Sequence, residues 1–211
     1  MSSPSSTLRR PDRNPLAAPP GARPVLADSL PGDRSRDFAL AAGYALVVGL
    51  AGRLQVGGDA IVPVTAQAGV VLIGAAALGW RRALAGMVAY ALLGLGGVPW
   101  FADERGAGLL GAMGSLSFGY VLGFVIASMV VGGLAARGLD TTPARAAGML
   151  LAGLLIVYGF GLPWLMASAG VGPSTGFVEG IVPLLPLDLT AAALGAALLP
   201  AARLALRRRG R

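Results

Sequence analysis

The chain has 211 residues, 55% of them hydrophobic and only 13% charged, with a mean hydropathy of +0.71. A soluble globular domain carries about twice that share of charge, so the composition sets the soluble classes aside and indicates one compact membrane domain. The formal net charge of +7 sits in the tails: residues 1–37 hold six Arg and four Asp, residues 38–202 balance six Arg against six acids, and residues 203–211 add five Arg. That is the pattern of cytoplasmic flanks on a membrane domain, not of a nucleic-acid surface, because no aromatic residues interleave with the arginines.

Residue types that are missing narrow the chemistry. There is no cysteine, so disulfides and cysteine–metal sites are excluded. There is no histidine, the commonest general base and metal ligand. There is no lysine either, which rules out a phosphate loop of the nucleoside triphosphatase type within this chain. Serines such as Ser115 and Ser117 therefore have no base to activate them, and no catalytic residue, metal or cofactor is expected.

In chain order, residues 2–36 are rich in Pro, Ser, Ala and Arg without apolar periodicity, and the segment 1–37 reads as a disordered cytoplasmic tail. Six apolar runs follow, over 38–54, 61–79, 83–98, 109–136, 145–168 and 178–202. Most approach the ~20 residues needed to cross a hydrocarbon core. The expected fold is an all-α integral membrane protein, a bundle of six transmembrane helices over 38–202 with irregular outer loops and a basic tail at 203–211. Gly and Ala dominate the runs and let helices approach closely in lipid, as at Ala41/Ala45 in the first helix. Such pairs serve either ordinary bundle packing or the docking of a partner.

Arginine placement sets the topology. With the N-terminus inside, Arg81 and Arg82 fall between helices 2 and 3, Arg137 and Arg145 between helices 4 and 5, and the Arg203–Arg211 tail is inside again. This agrees with the positive-inside rule and puts both termini in the cytoplasm of a multi-pass protein of the bacterial plasma membrane. The outer sections are then 55–62, 99–114 and 169–180, all rich in Gly, Pro or charge. Pro63, Pro99, Pro163, Pro183 and Pro186 cluster toward the same side, where they are expected to break helices and free backbone groups for a solute.

On that outer side lie the polar and aromatic candidates. Asp188, in IVPLLPLDLTAAAL, is an acid in an apolar span with no basic neighbour in sequence; it reads as a hydrogen-bond acceptor for a small solute, as the N-cap of an Ala-rich helix, or as both. A proton relay is a third reading, weakened by the lack of other intramembrane acids. Gln67 and Thr65, in VPVTAQ, either contact a solute or hydrogen-bond neighbouring helices. Arg105 either neutralises an anionic group or pairs with Asp103 or Glu104. Trp100 and Phe101 beside it either cover an apolar ligand or sit at the lipid headgroups, and Tyr90, Tyr120, Tyr158 and Trp164 are pocket walls, core aromatics or members of an interfacial belt.

These segments resemble the BioY family, the biotin-specific substrate-capture subunits of energy-coupling factor transporters. The resemblance runs from about Phe38 to Leu199 through VPVTAQ at 62–67, YALLGLGGVPWFA at 90–102, FGYVLGF at 118–124, VYGFGLPWL at 157–165 and VPLLPLDL at 182–189. The chain departs from the family at Asp103 and Glu104, at Ser115–Gly119, and at Ala191, where the family often has a lysine. The resemblance implies that Asp188 accepts from the ureido N–H groups of biotin and that Gln67, with Thr65 and Tyr90, adds polar contacts. It implies too that Arg105 balances the valerate carboxylate and that Trp100, Phe101, Tyr120 and Trp164 pack the bicycle. It further implies a membrane coupling protein and two ATP-hydrolysing subunits as partners, docked on Ala41 and Ala45. The alternatives are a solitary or self-associating transporter of biotin or a related vitamin, and a membrane-embedded lipid-modifying enzyme using Asp103, Glu104 and Asp188.

Overall fold

A computed structural model describes residues 22–30, 34–55, 62–101, 109, 111 and 114–209 of the chain. Among them are seven α-helices and one 3-10 turn at Leu26–Ser29, with no β-strand. The helices are α1 (Arg34–Arg53), α2 (Gln67–Leu78), α3 (Trp80–Leu95), α4 (Phe118–Ala136), α5 (Pro143–Ala169), α6 (Pro173–Gly180) and α7 (Leu185–Arg209). Three of them, α4, α5 and α7 as far as Leu206, are long and apolar enough to cross a bilayer, while α2 is apolar but only 12 residues long.

The all-α expectation is met among the described residues, and several boundaries move. The third run begins at Trp80 rather than 83, because Gly79 at φ 79° makes the whole connection from α2 by itself. The outer stretch 169–180, expected to be irregular, contains a helix: 173–180 forms α6, started by Pro173 at its first position. Pro163 does not break its helix: α5 runs through it to Ala169 and ends at Gly170 in the left-handed conformation. The proline simply lacks the N–H that would bond four residues back.

Close packing rests on small residues. Gly123 of α4 lies on the backbone of α5, where a Cβ would sit 2.8 Å from the Cα of Val157. Between the helices Val48, Val71, Leu72, Met87, Val131, Leu150 and Leu165 are sealed from solvent. Ala41 and Ala45 are buried as well, and Ala41 presses its carbonyl against Gly86 of α3. Both alanines thus pack inside the bundle, Ala41 at the α1–α3 seam, which is the packing reading of the pair.

Successive long helices alternate in direction, so the α2–α3 and α4–α5 turns, the start of α1 and the end of α7 share one end of the bundle. That end carries the paired charges. Arg82, buried in the first turn of α3, donates to Asp37 Oδ1 at 2.9 Å and to Asp28 Oδ1 at 2.7 Å. Asp37, fully buried, also accepts from Arg36 at 2.7 Å. A cation at a helix N-terminus opposes the helix dipole, and the two carboxylates offset that penalty. Arg203 likewise pairs with the buried Asp140 and donates to the carbonyl of Pro24 at 2.9 Å. Burial pushes the Asp140 carboxyl above its ordinary range, and the Arg203 guanidinium draws it back.

These pairs draw in residues expected to be tail. The Arg23 N–H bonds the carbonyl of Ala136 at 3.0 Å, Val25 packs on Gly79, and Val25 and Ala27 are buried. Within the expected 1–37 tail, residues 22–30 thus pack on the bundle, and α1 starts at Arg34; residues 1–21 and 31–33 lie outside the described residues.

Breaking a buried ion pair by deleting one partner costs about 3 kcal/mol or more. Arg82→Ala is therefore expected to lower the thermal unfolding temperature in detergent clearly. Asp28→Asn, which removes only the more exposed contact, should lower it by much less, and equal effects would contradict this account of the cluster.

Candidate functional site

The opposite end of the bundle is aromatic. Tyr90 of α3 stacks on Trp100 at 5.3 Å between centroids and meets Phe101 edge-on at 5.7 Å. Phe101 meets Phe118 of α4 at 6.4 Å, and Phe118 meets Trp164 of α5 at 5.3 Å. The chain of rings crosses from α3 to α5 in the offset and edge-on arrangements that aromatic quadrupoles favour. Its polar edges are anchored: Trp100 Nε1 donates to the carbonyl of Tyr90 at 3.2 Å and Trp164 Nε1 to that of Ser115 at 2.9 Å.

Glycines make room for these rings. Trp100 lies on Gly49 of α1, Phe101 on Gly94 of α3, Trp164 on Gly119 of α4, and Tyr120 on Gly161 of α5; a Cβ at any of the four would collide with the ring. The glycine content that suits helix packing in lipid thus also seats the aromatic wall.

Around the rings, Gln67 at the start of α2 donates its amide to the Tyr90 hydroxyl at 2.7 Å and to the carbonyl of Val48 at 3.2 Å. Thr65, in a bridge with Gln55, lines the same small cavity as Gln67, Tyr90, Ser117, Tyr120 and Leu184. The space open to water there is about 30 Å³, a small core between the helix ends. The Tyr120 hydroxyl donates to the carbonyl of Gly180 at 2.7 Å.

Asp188 stands apart from that cavity, against Gly69, Leu72, Leu150 and Leu154. It lies inside the first turn of α7, not at the N-cap, and is 3% exposed. Its Oδ2 accepts from the Tyr158 hydroxyl of α5 at 2.5 Å, the length of a strong charge-assisted bond. Asp188 joins no ion pair among the described residues, whose salt bridges involve Asp28, Asp37 and Asp140.

Of the residues singled out in the sequence, Thr65, Gln67, Tyr90, Trp100, Phe101, Tyr120, Trp164 and Asp188 thus share one end of the bundle. Arg105 lies outside the described residues. The wall also takes in Phe118 and Ser115, which the sequence did not mark as part of it, and Tyr158, expected as a wall, core or belt aromatic, is instead the hydroxyl partner of Asp188. A signal for Tyr158 exists: a buried acid in an apolar span needs a donor on a facing helix, and few hydroxyls are on offer. Among the described residues no group of His, Cys, Asp and Glu is arranged to hold a metal ion.

The BioY family model matches residues 23–208. The biotin transporter BioY of Rhizobium etli is 30% identical over 174 residues, covering 78% of this chain and 91% of that protein. The biotin transporter BioY of Rhodobacter capsulatus is 37% identical over 117 residues, covering 53% and 60% of the two chains. Among solved structures, the S-component for biotin from an ECF-type ABC transporter superposes with a TM-score of 0.69 at 20% identity, over 81% of this chain and 92% of that one, a likeness of fold.

The ring-on-glycine arrangement makes a direct test. Gly49→Val forces the Trp100 indole off α1 and should change the tryptophan fluorescence of the folded protein and lower its thermal stability. At Gly133 of α4 nothing lies within 4 Å of the place a methyl group would take. Gly133→Ala should therefore leave both unchanged or raise stability by up to about 1 kcal/mol.

Proposed function

The chain belongs to the BioY family, and on that footing we propose that it is the substrate-binding membrane subunit of a vitamin uptake transporter and that its substrate is biotin. The observation that carries the reading is Asp188: a buried acid that joins no ion pair among the described residues, beside an aromatic wall, at the end of the bundle opposite the paired charges. Biotin offers two ureido N–H donors, one carbonyl, a thioether ring and a valerate carboxylate. The Asp188 carboxylate suits the N–H donors, and the Gln67 amide, with Thr65 and Tyr90, suits the remaining polar edge. Trp100, Phe101, Tyr120 and Trp164 give the bicycle an apolar wall, and Arg105 is the cation proposed for the valerate. Mostly apolar lining with a few placed polar groups is the usual composition of a small-molecule site.

The orientation follows from charge. Arg36, Arg81, Arg82, Arg137, Arg145 and Arg203 belong to the end where the α2–α3 and α4–α5 turns lie, which is the cytoplasmic end under the positive-inside rule. In this reading α1, α2, α3, α4, α5 and α7 are six spans, both termini are cytoplasmic, and the aromatic end faces outward to receive biotin. Delivery then proceeds with an ATP-driven coupling module. The side of α1 away from the Ala41/Ala45 seam supports a membrane partner, because Gly43 and Val47 line an apolar groove of about 770 Å³ together with Gly69 and Ile73 of α2 and Leu194 of α7. Small residues along such a groove let a partner helix come close.

Titration calorimetry of the purified protein with biotin is expected to give saturable binding. Asp188→Asn, which exchanges a charged acceptor for a neutral one, should weaken it about 10- to 100-fold, the worth of a hydrogen bond to a charged group. No binding by the unaltered protein, or an unchanged affinity in the variant, would contradict the proposal.

A further inference from the structure

Asp188 places a carboxyl group in a setting that offers a charge little. It is buried in the first turn of α7 and joins no ion pair among the described residues, and one hydroxyl, that of Tyr158, reaches its carboxylate. The other three tyrosine hydroxyls are committed elsewhere: Tyr44 donates to the carbonyl of Val71 at 2.6 Å, Tyr120 to that of Gly180 at 2.7 Å, and Tyr90 accepts from Gln67 at 2.7 Å. Tyr158 is itself nearly sealed from solvent, on the stretch of α5 where Val157 lies against Gly123 of α4, so its ring has little room to swing.

A carboxylate has two oxygens and two soft torsions. The 2.5 Å bond ties Oδ2 to α5, while Oδ1 accepts no hydrogen bond among the described residues. We infer that Tyr158 is a positioning residue of the substrate site: by holding Oδ2 from the facing helix it fixes the Asp188 carboxylate, so that Oδ1 is presented as a preorganised acceptor for an N–H donor of the substrate. This rests on the reading of Asp188 as the substrate's acceptor. Because the Tyr158 proton is spent on Asp188, the pair presents an acceptor and no donor. It therefore favours a ligand whose buried edge carries N–H groups, such as a cyclic urea, over one whose buried edge only accepts. Preorganisation of this kind raises affinity by removing the cost of ordering the acceptor at the moment of binding.

The test is a set of binding titrations on the full-length protein in detergent, with biotin, with desthiobiotin (which keeps the cyclic urea) and with a biotin derivative methylated on both urea nitrogens. Tyr158→Phe is expected to lose about tenfold in affinity for biotin and for desthiobiotin alike. The methylated derivative should bind the unaltered protein weakly and lose nothing further in Tyr158→Phe. In an Asp188→Asn background, adding Tyr158→Phe should change biotin affinity by less than about twofold, because the two residues act as one unit. The Asp188→Asn/Tyr158→Phe protein also removes the buried charge together with its donor, so the comparison stands even where Tyr158→Phe alone folds poorly. Equal biotin affinity in Tyr158→Phe and the unaltered protein would overturn the inference while leaving biotin binding intact. So would the same loss for the methylated derivative, or additive losses in the double variant. Absence of biotin binding by the unaltered protein would overturn both readings together.

Discussion

Every buried charge in this bundle has to find its partner inside the protein, because hydrocarbon offers none. The chain meets that constraint in two different ways at its two ends. At one end Arg82 and Arg203 draw Asp28, Asp37 and Asp140 into a compact set of pairs that ties together the starts of α1 and α3, the end of α7 and the segment from Arg23 to Leu30. At the other end the one buried acid among the described residues, Asp188, is held by one neutral hydroxyl. At the first end the acids are paired with arginines, although Asp140 Oδ1 is left without a hydrogen bond, whereas Asp188 joins no ion pair among the described residues. In the proposed reading, that acid, without an arginine partner among the described residues, makes the aromatic end the place for a ligand with N–H groups.

Glycine links the packing to the site. In a soluble helix such residues would be costly, but between helices in lipid they replace side chains with close backbone contact. At the aromatic end the space they leave is taken by rings: Trp100 over Gly49, Phe101 over Gly94, Trp164 over Gly119 and Tyr120 over Gly161. The wall is therefore built jointly by α1, α3, α4 and α5, so the packing of these helices and the shape of the site depend on one another.

Hydropathy and arginine spacing carried the class, the helix content and the clustering of candidates at one end, since lipid imposes strong demands on composition. Local boundaries were less legible. Arg81 and Arg82 read as loop charges, yet they open α3, because the partners that tolerate Arg82 in a helix start, Asp28 and Asp37, lie 54 and 45 residues away. Pro163 read as a helix breaker, but α5 absorbs a single missing N–H. Ala41 and Ala45 fitted docking and packing equally well, and only the neighbouring helix decides which side of α1 they occupy. The pairing of Tyr158 with Asp188, 30 residues apart, was likewise hidden until α5 and α7 were set side by side.

The central claim is that substrate enters the aromatic end and meets Asp188, and an experimental structure of the protein with biotin bound tests it most directly. The account predicts the ureido ring within hydrogen-bonding distance of Asp188 Oδ1, with the bicycle against Trp100, Phe101 and Trp164. Biotin seated instead in the apolar groove between α1 and α7, or at the end where Arg82 and Arg203 are paired, would contradict it.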